Sequence, residues 1–154
     1  MKKLIPVVAL SIVVLALAAS TGMSASHIAD VIRATRIALS TPSNWFSTLH
    51  PLFTPRLVQL IAFAQKKGYT VTITSALRPG DAGYHGLGGA VDLNLSKDGQ
   101  VWGLNVGQTS RTAWEETGIP AEARRLGLRW GGDFQKTDVV HFDIGGTHAK
   151  EELT

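Results

Sequence analysis

The 154-residue sequence contains no cysteine. That removes disulfides, thiolate zinc sites and cysteine nucleophiles together. Any metal here has to be held by histidine and carboxylate. Charge is also scarce: Asp, Glu, Lys and Arg make up 18% of the chain, as 15 basic and 12 acidic residues with a formal charge of +3. Setting Lys2 and Lys3 aside leaves 13 basic against 12 acidic residues. That surplus is too weak to argue for a nucleic-acid surface, and no nucleic-acid partner is expected. The glycines between Gly80 and Gly89 lack a following Gly-Lys-Ser/Thr and precede a strand pattern instead of opening a helix, so they are no phosphate cradle. There are no internal repeats and no long linker. With 44% hydrophobic residues, 16 Gly and 6 Pro, the composition is neither that of a disordered chain nor of a coiled coil, and the length suits one domain.

The pooled figures cover two unlike pieces. Lys2-Lys3 precedes an apolar core from Leu4 to Ala19, the pattern of a secretory signal, and Ala16-Leu17-Ala18 offers a small-x-small cleavage site. The uncharged run continues to Ser26, about 23 residues, which is long enough to cross a bilayer as a helix. Its second half, with Ser20, Thr21, Gly22, Ser24 and Ser26, is only weakly hydrophobic. Residues 1–26 are therefore expected to be an apolar N-terminal helix acting as a cleaved signal, a signal anchor or an anchor that later leaves the membrane. Residues 27–154 are the expected folded domain, exported to the periplasm or cell-wall space and monomeric.

In that domain a helix is expected over His27–Leu39, stopped by Ser40-Thr41-Pro42. Thr54-Pro55 reads as a capped helix start, and the helix runs to Lys67 with Leu57, Leu60, Ile61 and Ala64 on one face before Gly68. Tyr69–Ser75 alternates as a half-buried strand; Ala90–Leu95 reads as a second strand and Lys97-Asp98-Gly99 as a turn. Thr112–Glu116 and Pro120–Leu126 suggest short helices, and Leu128–Trp130 and Val139–Ile144 two more strands. The pattern is α+β. Trp130, Trp102 and Trp114 read as packing residues, and Gly131 and Gly132 as turn glycines with positive φ.

Five histidines are available: His27, His50, His85, His141 and His148. His85 opens His-Gly-Leu-Gly-Gly-Ala-Val-Asp, which ends at Asp92, and Asp138 precedes His141 in Asp-Val-Val-His. A hydrolytic zinc site takes three nitrogen or oxygen ligands and keeps a position open for water. His85, Asp92 and His141 can supply those three, and Asp138 is the natural acid to take the proton from the water. Spacing leaves alternatives open. Asp143 shares the face of His141 on a strand and competes as a ligand, and Asp133 is a spare acid. Residues i and i+3 of a strand face opposite ways, so Asp138 has to lie just before the strand carrying His141.

Ser75-Ala-Leu-Arg78-Pro79, His85-x-x-Gly88-x-Ala90-x-Asp92, Trp130-Gly-Gly-Asp133 and Asp138-x-x-His141-Phe142 occur in that order. Over about residues 55–145 the chain resembles the zinc peptidoglycan peptidases that include D-alanyl-D-alanine carboxypeptidases and the L-alanyl-D-glutamate endopeptidases of phage endolysins. The resemblance implies a small single domain with a central antiparallel sheet and flanking helices, hedgehog-like and DD-peptidase-like. It implies Zn2+ held by His85, Asp92 and His141, Asp138 as catalytic base, and Arg78 on a substrate carboxylate, for which a guanidinium suits through two parallel hydrogen bonds. It further implies bacterial peptidoglycan as the partner, with the inner membrane as a second through an uncleaved leader. The sequence departs from many relatives in having Gly83 two residues before the first zinc histidine, and in its short, glycine-rich stretch from Arg78 to His85. Two other readings compete with a stem-cutting endopeptidase: a D-alanyl-D-alanine carboxypeptidase, and a catalytically silent wall-binding module on the same fold.

Overall fold

The computed structural model describes residues 45–154. The expected leader over residues 1–26 and the helix expected over His27–Leu39 lie outside the described residues. Among the described residues, no helix is long and apolar enough to cross a membrane.

Helix α1 (Thr54–Lys66) starts with Pro55 in its first turn and buries Leu57, Val58, Leu60, Ile61 and Ala64. These positions fall along one stripe of a 3.6-residue period. The expected hydroxyl cap is absent: the cap position is Phe53, and the Thr54 hydroxyl donates to the His50 carbonyl at 3.0 Å from inside the first turn. The far end closes through Gly68 (φ 87°), whose amide donates to Gln65 while that of Tyr69 donates to Ala64. Two short helices follow later, α2 (Arg111–Thr117), capped by the Ser110 hydroxyl on the Ala113 amide, and α3 (Ile119–Arg125). Helix α1 packs on α3 and on strand β1 (Thr70–Ser75), and α2 packs on α3.

The sheet has five strands, all paired antiparallel. Strand β2 (Ala90–Lys97) is the axis, with β1 along one edge. Its other edge is shared by β5 (His141–Asp143) at the start and by β3 (Gln100–Trp102) at the end, and β4 (Arg129–Trp130) lies outside β5. The expected α+β domain with a central antiparallel sheet is thus what the chain forms. Strand β3 is an addition: Asp98 (φ 50°) and Gly99 (φ 78°) turn the chain tightly enough to pair Lys97 with Gln100.

Alternation divides the sheet into two faces. Val91, Leu93 and Leu95 of β2, Phe142 of β5 and Trp130 of β4 are buried to 1% exposure or less, and Phe142 sits 6.2 Å from the ring of Trp114 on α2. That face is the hydrophobic core, and each such side chain withdrawn from water contributes about 1.5–3 kcal/mol. The intervening residues, Asp92 on β2, His141 and Asp143 on β5 and Arg129 on β4, point the other way. Trp130, Trp102 and Trp114 are all packing residues, with the Trp130 indole donating to the Val139 carbonyl at 2.7 Å and that of Trp102 to Ala113 at 3.1 Å.

Gly131 and Gly132 follow β4 in a short 3₁₀ turn, and neither has positive φ. Glycine is needed there for close approach. A Cβ on Gly131 would lie 2.2 Å from the Asp138 carbonyl oxygen, and one on Gly132 would lie 2.2 Å from the Trp130 ring.

Candidate metal centre

Register builds the centre. Asp92 and His141 are direct partners across β2 and β5, so their side chains rise side by side from the polar face. Ser75 is the β1 partner of Asp92, by way of a register shift between Ile73 and Ser75 that leaves Thr74 bulged. His85 comes from a 3₁₀ turn (Tyr84–Leu87) that packs against β2 and is closed by Gly88 in the left-handed region (φ 68°). A side chain on Gly88 would also run into the Thr48 carbonyl, at 2.6 Å.

The three side chains meet in a small triangle. His85 Nε2 lies 3.1 Å from Asp92 Oδ1, His141 Nδ1 lies 3.0 Å from the same oxygen, and the two nitrogens are 3.2 Å apart. Zinc bonds of about 2.0–2.2 Å in a tetrahedron set their ligand atoms roughly 3.3–3.6 Å apart, so a small expansion of this triangle would admit such an ion. His85 is 4% and Asp92 8% exposed, so neither charge nor lone pair is satisfied by bulk water.

Proton positions show why a cation suits the triangle. His85 Nδ1 faces the Ala76 carbonyl at 2.6 Å, and a carbonyl only accepts, so Nδ1 carries the hydrogen and Nε2 turns a lone pair inward. His141 Nε2 faces Asp143 Oδ2 at 3.1 Å, so in the neutral ring the hydrogen is on Nε2 and Nδ1 turns a lone pair inward. With Asp92 ionised, three acceptors then converge without a donor. The side chains compensate among themselves by keeping charge apart. Burial works to raise the Asp92 carboxyl, but hydrogen bonds and charge from His141 and His85 outweigh it and hold the group well below the usual carboxylate range. Burial works to lower His141, but the hydrogen bonds with Asp143 and Asp92 prevail and push it up to about 9. A divalent ion held there would replace that proton with a charge shared by all three ligands. His85, Asp92 and His141 form the one group among the described residues with ligand atoms close enough together to hold a metal.

Asp138 lies outside this triangle. It sits in the turn just before β5, where its amide donates to Gly131 at 2.9 Å and its carbonyl accepts from the His141 amide at 3.1 Å. Its Oδ1 is buried and has no hydrogen-bond partner. An unpartnered carboxylate oxygen costs stability, and such groups cluster where chemistry uses them. Arg78 donates from Nη2 to Asp92 Oδ2 and from Nε to the Ser75 hydroxyl at 2.8 Å, while nearly half of its side chain stays exposed. The Asp92 oxygen it meets is not the one in the triangle. Its grip on Asp92 fixes the carboxylate's orientation and leaves part of the guanidinium fork open to the cleft.

The two spare acids have other partners. Asp143 does not join the triangle: its Oδ2 meets the second ring nitrogen of His141, and both its oxygens meet Arg129. Asp133 points elsewhere, held by Arg124 at 2.7 Å and 2.8 Å and by Arg111 at 2.7 Å. His50 accepts from the Leu52 amide at 3.2 Å and His148 meets Glu152 at 2.6 Å, so neither approaches the centre. Spacing alone did not single out Arg129, Ser75, Tyr84 or Phe134. The Tyr84–Arg129–Phe134 stack, with both rings about 5 Å from the guanidinium, requires knowledge of strand register.

These groups open into one cleft of about 860 Å³, lined by Arg78, Tyr84, His85, Leu104, Arg129, Phe134, Lys136, Asp138, His141 and Lys150 among others. Four cationic side chains, Arg78, Arg129, Lys136 and Lys150, and three acids, Asp81, Asp138 and Asp143, line it beside the metal-ligating group, which suits a polar substrate carrying a carboxylate.

Residues 78–144 match the family model described as D-alanyl-D-alanine carboxypeptidase. The match covers under half of the chain, yet it spans the whole triangle, Asp138 and Arg78. No curated protein matches the chain. Residues 78–144, which carry the metal-ligating group, are thus similar to the D-alanyl-D-alanine carboxypeptidase family.

Proposed function

We propose that this chain is an exported zinc peptidase that hydrolyses a bond within the peptide stems of bacterial peptidoglycan, of the L-alanyl-D-glutamate endopeptidase type. The observation that carries the reading is the unpartnered, buried Oδ1 of Asp138, a residue that lines the same cleft as the metal-ligating His85 and His141. A silent wall-binding module has no use for an acid with a buried, unpartnered oxygen. The family match supports peptide-bond hydrolysis. The Lys2-Lys3 pair and the apolar run after it support export, with a tether to the inner membrane until the leader is cut or released.

In this reading His85, Asp92 and His141 hold Zn2+, which when bound lowers the pKa of a water toward roughly 7 and polarises the scissile carbonyl. Asp138 accepts the proton from the attacking water and returns it to the leaving nitrogen, so the same carboxyl serves as base and then acid. Arg78 offers its open edge to a carboxylate of the stem, which orients the scissile bond. Tyr84 and Phe134 give the cleft an aromatic wall beside the charged groups.

The family description favours a second reading, removal of the terminal D-alanine. Digestion of purified peptidoglycan by the zinc-loaded full chain, with product masses read directly, separates the two. New amino termini inside the stem support the endopeptidase, and loss of one alanine the carboxypeptidase. Wall binding with no new product, identical in wild type and Asp138→Ala, overturns both.

A further inference from the structure

We propose that Asp143 and Arg129 are positioning residues of the metal centre: as direct partners across β5 and β4 they lock the His141 ring with its Nε2 hydrogen outward and its Nδ1 lone pair toward the metal. The inference rests on the metal reading of His85, Asp92 and His141. The geometry leaves the Asp143 carboxylate no freedom. Oδ1 accepts from Arg129 Nε at 2.8 Å and from the Gly145 amide at 2.8 Å. Oδ2 accepts from Arg129 Nη2 at 2.8 Å and from His141 Nε2 at 3.1 Å. Asp143 is 1% exposed, so these four donors are its whole solvation.

Arg129 is fixed in turn. Its guanidinium lies 5.0 Å from the Tyr84 ring centre and 5.1 Å from that of Phe134. Gly145 lies against its end, where a Cβ would come within 2.6 Å of Nε. The planar fork is thus set before it meets the carboxylate, which limits the entropy lost in the pair. Carboxylates that orient a ligating histidine through its second nitrogen typically affect metal affinity by 10–100-fold.

The chemistry makes Asp143→Asn a sharp probe. Every group facing the carboxylate is a donor, so an amide has to turn its NH2 toward two of them. Turned toward His141, it leaves Nε2 as an acceptor and shifts the ring hydrogen to Nδ1, where it blocks the ligand lone pair.

The test measures zinc affinity of the full chain by competition with a chelating dye, and the His141 tautomer from ring nitrogen chemical shifts at a pH where the ring is neutral. Asp143→Asn is expected to weaken zinc binding by about 10–100-fold and to move the hydrogen to Nδ1. Arg129→Gln weakens it less, Arg129→Lys partly restores it, and Gly145→Ala, which keeps every charge but pushes Arg129 aside, weakens it as Arg129→Gln does. The last three keep the inference testable if Asp143→Asn fails to fold. Zinc affinity within twofold of wild type in the folded variants, with an unchanged tautomer, overturns it. A wild-type chain that binds no zinc overturns the metal reading instead.

Discussion

Asp138→Asn should separate chemistry from stability and from metal binding in a single substitution. The amide has the shape of the carboxyl but cannot take up a proton at neutral pH. A positioned general base contributes typically 10²–10⁴-fold, so hydrolysis should fall by that factor, about 3–5 kcal/mol of barrier at 1.36 kcal/mol per decade. Stability should move the other way or not at all. The buried Oδ1 has no partner to lose, and an unsatisfied buried polar atom costs about 1–3 kcal/mol in the folded state. Removing its charge recovers part of that. A gain of about 1 kcal/mol appears as roughly 4 °C or more in Tm for a domain of about 100 residues. Zinc affinity should stay within twofold, because Asp138 is not among the converging donors. Release of soluble muropeptides, a thermal melt and chelator competition on the same preparation report the three quantities. Activity within tenfold of wild type refutes the assignment of the base, and a tenfold loss of zinc affinity shows that Asp138 acts as a ligand.

Three further outcomes follow from the same structure. Stripping the metal with a chelator should lower Tm, since zinc at 100 times its Kd stabilises the folded state by about 2.7 kcal/mol; an unchanged melt would show that the triangle is not loaded. Gly131→Ala should impair hydrolysis without touching substrate, because its Cβ would lie 2.2 Å from the Asp138 carbonyl and has to displace the turn, at a cost of about 1–3 kcal/mol measurable by urea unfolding. Asp133→Asn should destabilise by no more than about 1 kcal/mol at neutral pH, because the Arg124 and Arg111 pairs are partly exposed. The hydrogen bond from Arg124 holds Asp133 below its ordinary 3.8, so this contribution is present above that pH and lost as pH falls through the folded value. Wild-type and Asp133→Asn melts should therefore converge in acid and diverge above pH 4.

Much of this was legible from residue order because alternation is a strong signal. Val91, Leu93 and Leu95 mark the core face of β2, and the same alternation puts Asp92 opposite to them. His85, Asp92 and His141 were named from spacing and resemblance, and they do lie together. Asp143 was legible only as sharing a face with His141. Which ring nitrogen it meets depends on the tilt of the imidazole between two strands, and periodicity holds no such information. Arg129 was invisible for a related reason: the sequence does not state that position 129 pairs with 143. The bulge at Thr74 and the three-residue β3 fall below the length at which alternation can be read. Gly131 and Gly132 stand out in the sequence, but composition cannot tell a left-handed φ from a contact with no room for Cβ, and the structure has the latter.

The register of Asp92 against His141 has a consequence for how the fold is held closed. These two residues are 49 apart in sequence and adjacent in space. An ion gripped by both would be a cross-link between distant parts of the chain, doing there what a disulfide does in other proteins. Treated as a covalent tie around a loop of that length, it would remove about 4 kcal/mol of unfolded-chain entropy. In a chain without cysteine, an ion held by these side chains would also serve as the staple.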